Sequence, residues 1–240
     1  MTKSKKFAAH IPIVIGILIA FSGAAHAQQE EDDEEHGLYL EKARVFSGGL
    51  VAGANFTQVD GDYFAGYRKI GLNAGAIVYA HLTKHVALSM EILYSQKGSK
   101  SDGPQPSPAL PSLLILKYGI TANYAEVPIM INYFDKRKSH IGVGVSYSTL
   151  VNVKESITTD TAVSNTIKTT DLSIQYPFKK DDFNFVVSGQ LHLIKGLYLN
   201  IRFQYSIIPI RSGADLPPIQ YARADQYNNL WVVRLMYLVK

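Results

Sequence analysis

The segment LYLNIRFQYSI, residues 197–207, alternates without a break. Leu197, Leu199, Ile201, Phe203, Tyr205 and Ile207 are apolar or aromatic, and Tyr198, Asn200, Arg202, Gln204 and Ser206 stand between them. Period two is the pattern of a strand with one apolar and one polar face. It leaves two folds open. In a water-soluble sheet Arg202 faces solvent; in a membrane barrel it faces the lumen and the leucines face lipid.

The alternation recurs along the chain. Val86, Leu88, Met90, Ile92 and Tyr94 oppose Ala87, Ser89, Glu91, Leu93 and Ser95. Ile141, Val143, Val145 and Tyr147 oppose Gly142, Gly144, Ser146 and Ser148, and Trp231, Val233, Leu235, Tyr237 and Val239 oppose Val232, Arg234, Met236 and Leu238. From Val45 onward eight segments have strand character, near 45–57, 67–82, 85–98, 114–134, 139–153, 182–194, 197–208 and 226–239, and none has a helical period.

The connections between them sort by parity. Those at Thr83-Lys84, Asp135-Lys136-Arg137-Lys138 and Lys195-Gly196 are tight. Those at 59–65, 99–112, 154–182 and 209–223 are long or rich in Gly, Pro and charge. Outer-membrane barrels have this asymmetry, with short periplasmic turns and longer extracellular loops. An even number of strands also brings both chain ends to the short-turn side.

Composition then decides which face looks inward. Charged residues are 18% of the chain, below the roughly 25% of soluble domains. The polar faces carry Gly, Ser, Asn and Gln with few charges, too few for a solvated exterior but suited to a narrow, filled interior. A lipocalin-like barrel would reverse the arrangement. The expected fold is all-β, an eight-stranded antiparallel up-and-down transmembrane β-barrel. Tyr94, Tyr133, Tyr147, Tyr205, Trp231 and Tyr237 are expected in its interfacial aromatic girdles.

Residues 1–27 read as a secretory signal. Lys3, Lys5 and Lys6 precede the apolar run IPIVIGILIAF, and Ala25-His26-Ala27 supplies a small-x-small cleavage site. The apolar run is about half the roughly 20 residues of a spanning helix. Residues 28–43 form an acidic segment expected to be solvated, and 44–240 the barrel domain. The formal charge of +4 includes three leader lysines, so the mature chain is close to neutral. Nothing in it suggests a nucleic-acid partner. The absence of cysteine excludes disulfides and thiolate metal sites.

Two segments carry a family resemblance. GLNAGAIVYAHLTKHVALSMEILYSQKG (71–98), above all its YSQKG, and YAEVPIMINYF (124–134), with its Tyr-x-Glu-x-Pro, resemble the PorT-like outer-membrane β-barrel proteins. The resemblance runs over about residues 45–240 and implies an outer-membrane location. For the family's namesake it implies a role in protein secretion and surface motility, which no residue here transfers to this chain. The chain ends Tyr237-Leu238-Val239-Lys240, whereas many such barrels end on an aromatic residue.

Four ionisable residues sit mid-strand on polar faces: Glu91, Glu126, Arg202 and Arg234. The glutamates come from strands three and four and the arginines from strands seven and eight, so closing the sheet sets them across the lumen. Desolvated charges must be paired, and arginine binds carboxylate in a bidentate way. A lumen charge network of these four is expected, acting as a structural plug or as a narrow path for ions or small solutes. Pro128 removes a ladder donor, so a bulge or distortion is expected there. Asp60, Asp62, Asp102, Asp181 and Asp182 read as solvated acids at loop bases and tips. His81, His85, His140 and His192 lie in no nucleophile motif, and no HExxH, CxxC, P-loop or GxSxG sequence occurs. No enzyme activity and no cofactor is expected. The expected partners are outer-membrane lipid and lipopolysaccharide, with proteins meeting the long loops.

Overall fold

A computed structural model describes residues 45–62, 64, 66–101, 103–107, 113–136, 138–161, 167–217 and 224–239. The expected signal (1–27) and acidic segment (28–43) lie outside the described residues.

The strands are β1 (Phe46–Asp60), β2 (Lys69–His81), β3 (Val86–Lys100), β4 (Gln105–Pro106), β5 (Leu113–Phe134), β6 (His140–Thr161), β7 (Ile167–Asp171), β8 (Asp181–Ile194), β9 (Leu197–Ser206) and β10 (Tyr227–Val239). Every pairing among them is antiparallel. Eight of them close a ring in the order β1-β2-β3-β5-β6-β8-β9-β10, with β10 returning to β1. The short β4 and β7 hang on β5 and β6 above it. Closure leaves the wall without an unpaired edge, which a lipid environment requires.

The alternation runs as the charge argument demands. Ile141 and Val143 are 67% and 49% exposed, while Ser146 and Ser148 are 1% and 0% exposed. The apolar set therefore forms the outer wall and the polar set the interior. Phe203 and Trp231 (centroids 5.1 Å apart), Tyr147 and Phe183 (5.1 Å), and Tyr205 and Tyr227 (6.1 Å) pair as rings across neighbouring strands. Such cross-strand aromatic pairs stabilise a sheet and fix its register.

The tight turns stay tight because backbone geometry permits it. Lys195 and Gly196 both take positive φ, 36° and 91°, the handedness that matches the twist of a two-residue hairpin. Close approach explains Gly53 on the β1–β10 seam. A Cβ there would lie 2.2 Å from the carbonyl oxygen of Val233 and 2.4 Å from Cα of Arg234.

At Pro128 the expected distortion takes the form of a gap in the ladder and not of a bulge. The β3–β5 ladder has a gap between Met90↔Ile129 and Leu93↔Glu126, yet its register is the same on both sides. The other edge pairs through, with Pro128 opposite Ser146. The missing N–H costs bonds without adding a residue, so no bulge forms. The bulges of β5 and β6 lie higher, between Ile115 and Lys117 and between Asn123 and Tyr124.

Both β5 and β6 are 22 residues long. A membrane-spanning strand needs about 9–11 residues, so roughly 35 Å of strand length, at about 3.3 Å per residue, lies beyond the spanning part of this hairpin. With β4 and β7 on its edges it becomes a four-stranded sheet above the long-loop end. Beneath it Val59, Phe64, Ile115, Tyr118, Ile120, Ile157, Leu172, Phe178 and Ile210 pack into an apolar core. The expected 114–134 segment matches β5 to within a residue, whereas the expected end near 153 falls short of the end of β6 at Thr161 and leaves this core out.

Candidate functional site

Strand parity turns Glu91 and Lys97 of β3, Glu126 of β5, Asp182 of β8, Arg202 of β9 and Arg234 of β10 into the lumen, where each is fully or almost fully buried. They form two levels. In the lower one Arg202 donates from Nη2 to Oε1 of Glu91. Arg234 donates to the same oxygen at 3.0 Å and stands 2.8 Å from Oε2. Its other nitrogens are held by Asn200 Oδ1 (2.7 Å) and Asn73 Oδ1 (3.1 Å). Arg202 is less well served. Its Nη2 touches Met130 Sδ at 3.5 Å, and Nε and Nη1 have no acceptor among the described residues.

In the upper level the Lys97 ammonium stands 3.3 Å from Glu126 Oε2 and 3.2 Å from Asp182 Oδ2, and 5.0 Å from the centre of the Tyr124 ring. Ser146 and Gln204 donate to Glu126 Oε1 at 2.9 and 2.8 Å. Ser206 and Asn228 donate to the Asp182 carboxylate at 2.7 and 2.9 Å. Two cations and one carboxylate below are balanced by one cation and two carboxylates above. The interior is neutral only as a whole, and Arg202 and Gln204, successive inward positions of β9, join the levels.

Both ends are closed by larger side chains. At the short-turn end Tyr79, Ile77, Tyr198, Met236 and Leu238 fill the bore. Tyr79 Oη is 2.9 Å from His140 Nε2, and the His140 ring stacks on Phe134 with centroids 4.1 Å apart. At the loop end Arg211 grips Glu155 in bidentate fashion, at 2.7 and 3.0 Å. Tyr118 Oη donates to Glu155 Oε1 at 2.6 Å, and Phe178 covers the guanidinium at 4.1 Å. A depression of about 450 Å³ opens on the lipid-facing wall instead, beside Gly189, Ile141, Leu191, Leu199 and Ile201.

Glu91, Arg202 and Arg234 of the sequence analysis thus meet directly, whereas Glu126 takes Lys97 in place of an arginine. Two acids assigned to solvated loop bases sit elsewhere. Asp182 is a lumen residue, fully buried. Asp62 closes its Oδ2 off from solvent without a hydrogen bond among the described residues, while Oδ1 accepts from the Phe64 N–H at 2.9 Å. Burial pushes its carboxyl up to about 6, against the opposing hydrogen bonds of Ser99 and Phe64, and the charges of Asp60 and Glu155 add to the rise. Asp60 accepts from Gln58 and Asn229, Asp181 accepts from Tyr147 Oη, and Asp102 lies outside the described residues. Parity could have found Lys97, which continues the Glu91, Leu93, Ser95 face. Glu155 and Arg211 lay in segments read as loops and gave no signal.

The lumen charges of both levels are paired with one another across the strands. Removing one partner from a buried pair strands a charge at about 3–5 kcal/mol, so each level resists opening.

Residues 26–212 match the model of the outer membrane protein beta-barrel domain. Among solved structures the chain is similar to Ail, the attachment invasion locus protein of Yersinia pestis, at 8% identity and a TM-score of 0.45, covering 80% of this chain and 98% of that one. Ail in complex with the heparin analogue sucrose octasulfate gives 8% identity and 0.44, over 81% and 99%. Neisserial surface protein A gives 7% identity and 0.41, over 80% and 96%. A search of the curated proteins finds no match. The family model spans most of the sequence and takes in every strand of the ring except β10. The chain belongs to the outer membrane protein beta-barrel domain family and is an integral outer-membrane protein.

Proposed function

We propose that this is a sealed barrel that works outside the membrane, as a structural or interaction protein presenting a rigid platform to the medium. The observation that carries the reading is the filled bore: two charged levels between an aromatic floor and an apolar, ion-paired roof. A pore would spend those side chains on lining a channel. The 22-residue strands of β5 and β6 support the second half, because a hairpin twice the membrane's need places its extra length where partners can reach it. In this reading residues 1–27 direct export and are removed, and the acidic 28–43 segment follows them. The YSQKG and Tyr-x-Glu-x-Pro segments favour a PorT-like barrel, with a surface or secretion assembly as the class of partner.

Planar-bilayer recording from the purified protein tests the seal. The expected trace has no steady unit conductance; a stable open-channel current would replace the sealed reading with passage of ions or small solutes. Crosslinking in intact outer membranes, followed by purification of the barrel, tests the platform. Adducts should map to 101–118 and 154–180.

A further inference from the structure

One quadrant of the bore gathers buried polar atoms that are unpaired among the described residues. Arg202 of β9 is opposite Ser188 of β8, Ser188 is opposite Gly142 of β6, and Gly142 is opposite Asn132 of β5. These are inward positions of four neighbouring strands on one rung. Gln190 is the next inward residue of β8 toward the short-turn end, and Met130 the next of β5 toward the loops. Contacts close the group. Met130 Sδ lies 3.5 Å from Arg202 Nη2 and 4.0 Å from Ser188 Oγ, and Gln190 Nε2 donates to Ser188 Oγ at 2.9 Å.

Within this group Nε and Nη1 of Arg202 find no acceptor among the described residues, and Oδ1 of Asn132 and Oε1 of Gln190 find no donor. Nε carries one N–H and Nη1 two. The Asn132 amide is held the right way round, because its Nδ2 donates to Ser89 Oγ at 2.8 Å. Between Arg202 and Asn132 the rung carries only a serine and a glycine, so the two polar side chains face each other across small residues. Asn132 Oδ1 leans into the room a side chain would take, 2.3 Å from where a Cβ on Gly142 would stand.

The mixture of unpaired groups selects the ligand. An anion would satisfy the guanidinium but meet two carbonyl oxygens and Glu91. A cation would suit the carbonyls but meet Arg202. Only a neutral molecule that both accepts and donates serves both, and a bore closed at floor and roof admits nothing much larger than water. Buried waters make about three hydrogen bonds each to such otherwise unsatisfied groups. We propose that the lower lumen holds a fixed hydration site, in which water accepts from Nε and Nη1 of Arg202 and donates to Oδ1 of Asn132 and Oε1 of Gln190. The two arginines of the lower level are then completed differently: Arg234 by Asn200 and Asn73, Arg202 by water. The proposal rests on the sealed bore only for the size of the ligand.

Hydroxyl-radical labelling tests the site. An X-ray pulse makes radicals from water, and a buried thioether is oxidised only where water lies against it. Met130 and Met236 are both 1% exposed. Met236 packs in the floor with Tyr79 Oη at 3.6 Å, and that hydroxyl is already paired with His140. The full mature chain, folded in phosphatidylcholine vesicles, is pulsed and digested, and the oxygen gained at each methionine is read by mass spectrometry. Met130 should be oxidised at least about tenfold faster than Met236, one thioether lying against water and the other packed dry. The variant N132L/Q190L, which removes both acceptors, should bring Met130 down to the Met236 rate, with heat-modifiable migration reporting its folding. Equal, slow labelling of the two in wild type overturns the proposal without need of the variant and leaves the sealed reading standing. Equal, fast labelling would show a bore open to bulk water and overturn both. Fast labelling of Met130 retained in the folded variant would put the water on other partners and overturn the assignment.

Discussion

Glu91 accepts from two guanidinium groups at once, and Glu91→Ala would leave Arg202 and Arg234 buried without the carboxylate they share, with only the upper-level charge of Glu126 still acting on Arg202. Breaking one buried pair costs about 3–5 kcal/mol. Here one carboxylate serves two cations, so the loss should reach at least the upper part of that range. Arg234 keeps its hydrogen bonds to Asn200 and Asn73, whereas Arg202 already has two nitrogens, Nε and Nη1, without an acceptor among the described residues. The asymmetry yields a contrast within one level. Arg202→Met should cost much less than Glu91→Ala, because Glu91 then remains paired one-to-one with Arg234. Urea unfolding in vesicles measures both. It can be followed by heat-modifiable migration and by Trp231, the single tryptophan, which faces outward and reports departure from lipid. If Glu91→Ala costs under about 1 kcal/mol, or Arg202→Met costs as much as Glu91→Ala, the charge argument for the lower level fails.

Two further outcomes follow from other parts of the chain. Gly53→Val should lower the yield of closed barrel, since its Cβ would meet the Val233 carbonyl at 2.2 Å; overpacking costs about 1–3 kcal/mol, occasionally more. Heat-modifiable gels of refolded protein check this, and a wild-type yield would refute it. Asp62 should make the loop after β1 tighter at acid pH. Its folded-state carboxyl lies near 6 against an ordinary 3.8, so the fold binds this proton more tightly than the open chain does. Stability is gained as pH falls through about 6, and above that the ionised group opposes the closed loop by about 3 kcal/mol at 1.36 kcal/mol per pH unit. The hydrogen-exchange protection factors of residues 61–68, corrected for the base-catalysed intrinsic rate, should rise from pH 7.5 to 4.5 in wild type, and Asp62→Asn should remove that rise.

The strands were legible because alternation is a local signal that a narrow membrane barrel enforces over its whole height. LYLNIRFQYSI carries the answer for Arg202 once the scarcity of charge on the polar faces is added. Legibility failed where the chain leaves the bilayer. Above the membrane β6 no longer needs an apolar outer face, so KESITT, from 154 on, reads as loop, and Glu155 had no visible partner. Lys97 was missed for a related reason: it stands next to Gly98, which suggested a strand end when β3 continues to Lys100. Asp182 follows another acid, Asp181, and side chains in succession on a strand point to opposite faces. One is on the wall and the other in the bore, a distinction composition cannot make.

The seam between β1 and β10 has a consequence for how the molecule is made. The final strand pairs with the first, and it also brings Arg234 to Glu91 and Asn228 to Asp182. Those contacts join residues 143 and 46 positions apart in the sequence, and the first cannot form until the last thirteen-residue strand has arrived. Nonlocal contacts of this kind slow folding because loop entropy is lost before they form. The lower charged level therefore works as a completeness check: a chain truncated before Tyr227 lacks both the seam and a cation of that level. A nascent barrel that stalls open is left with a carboxylate and an arginine on β3 and β9 awaiting their third member, which marks it as unfinished.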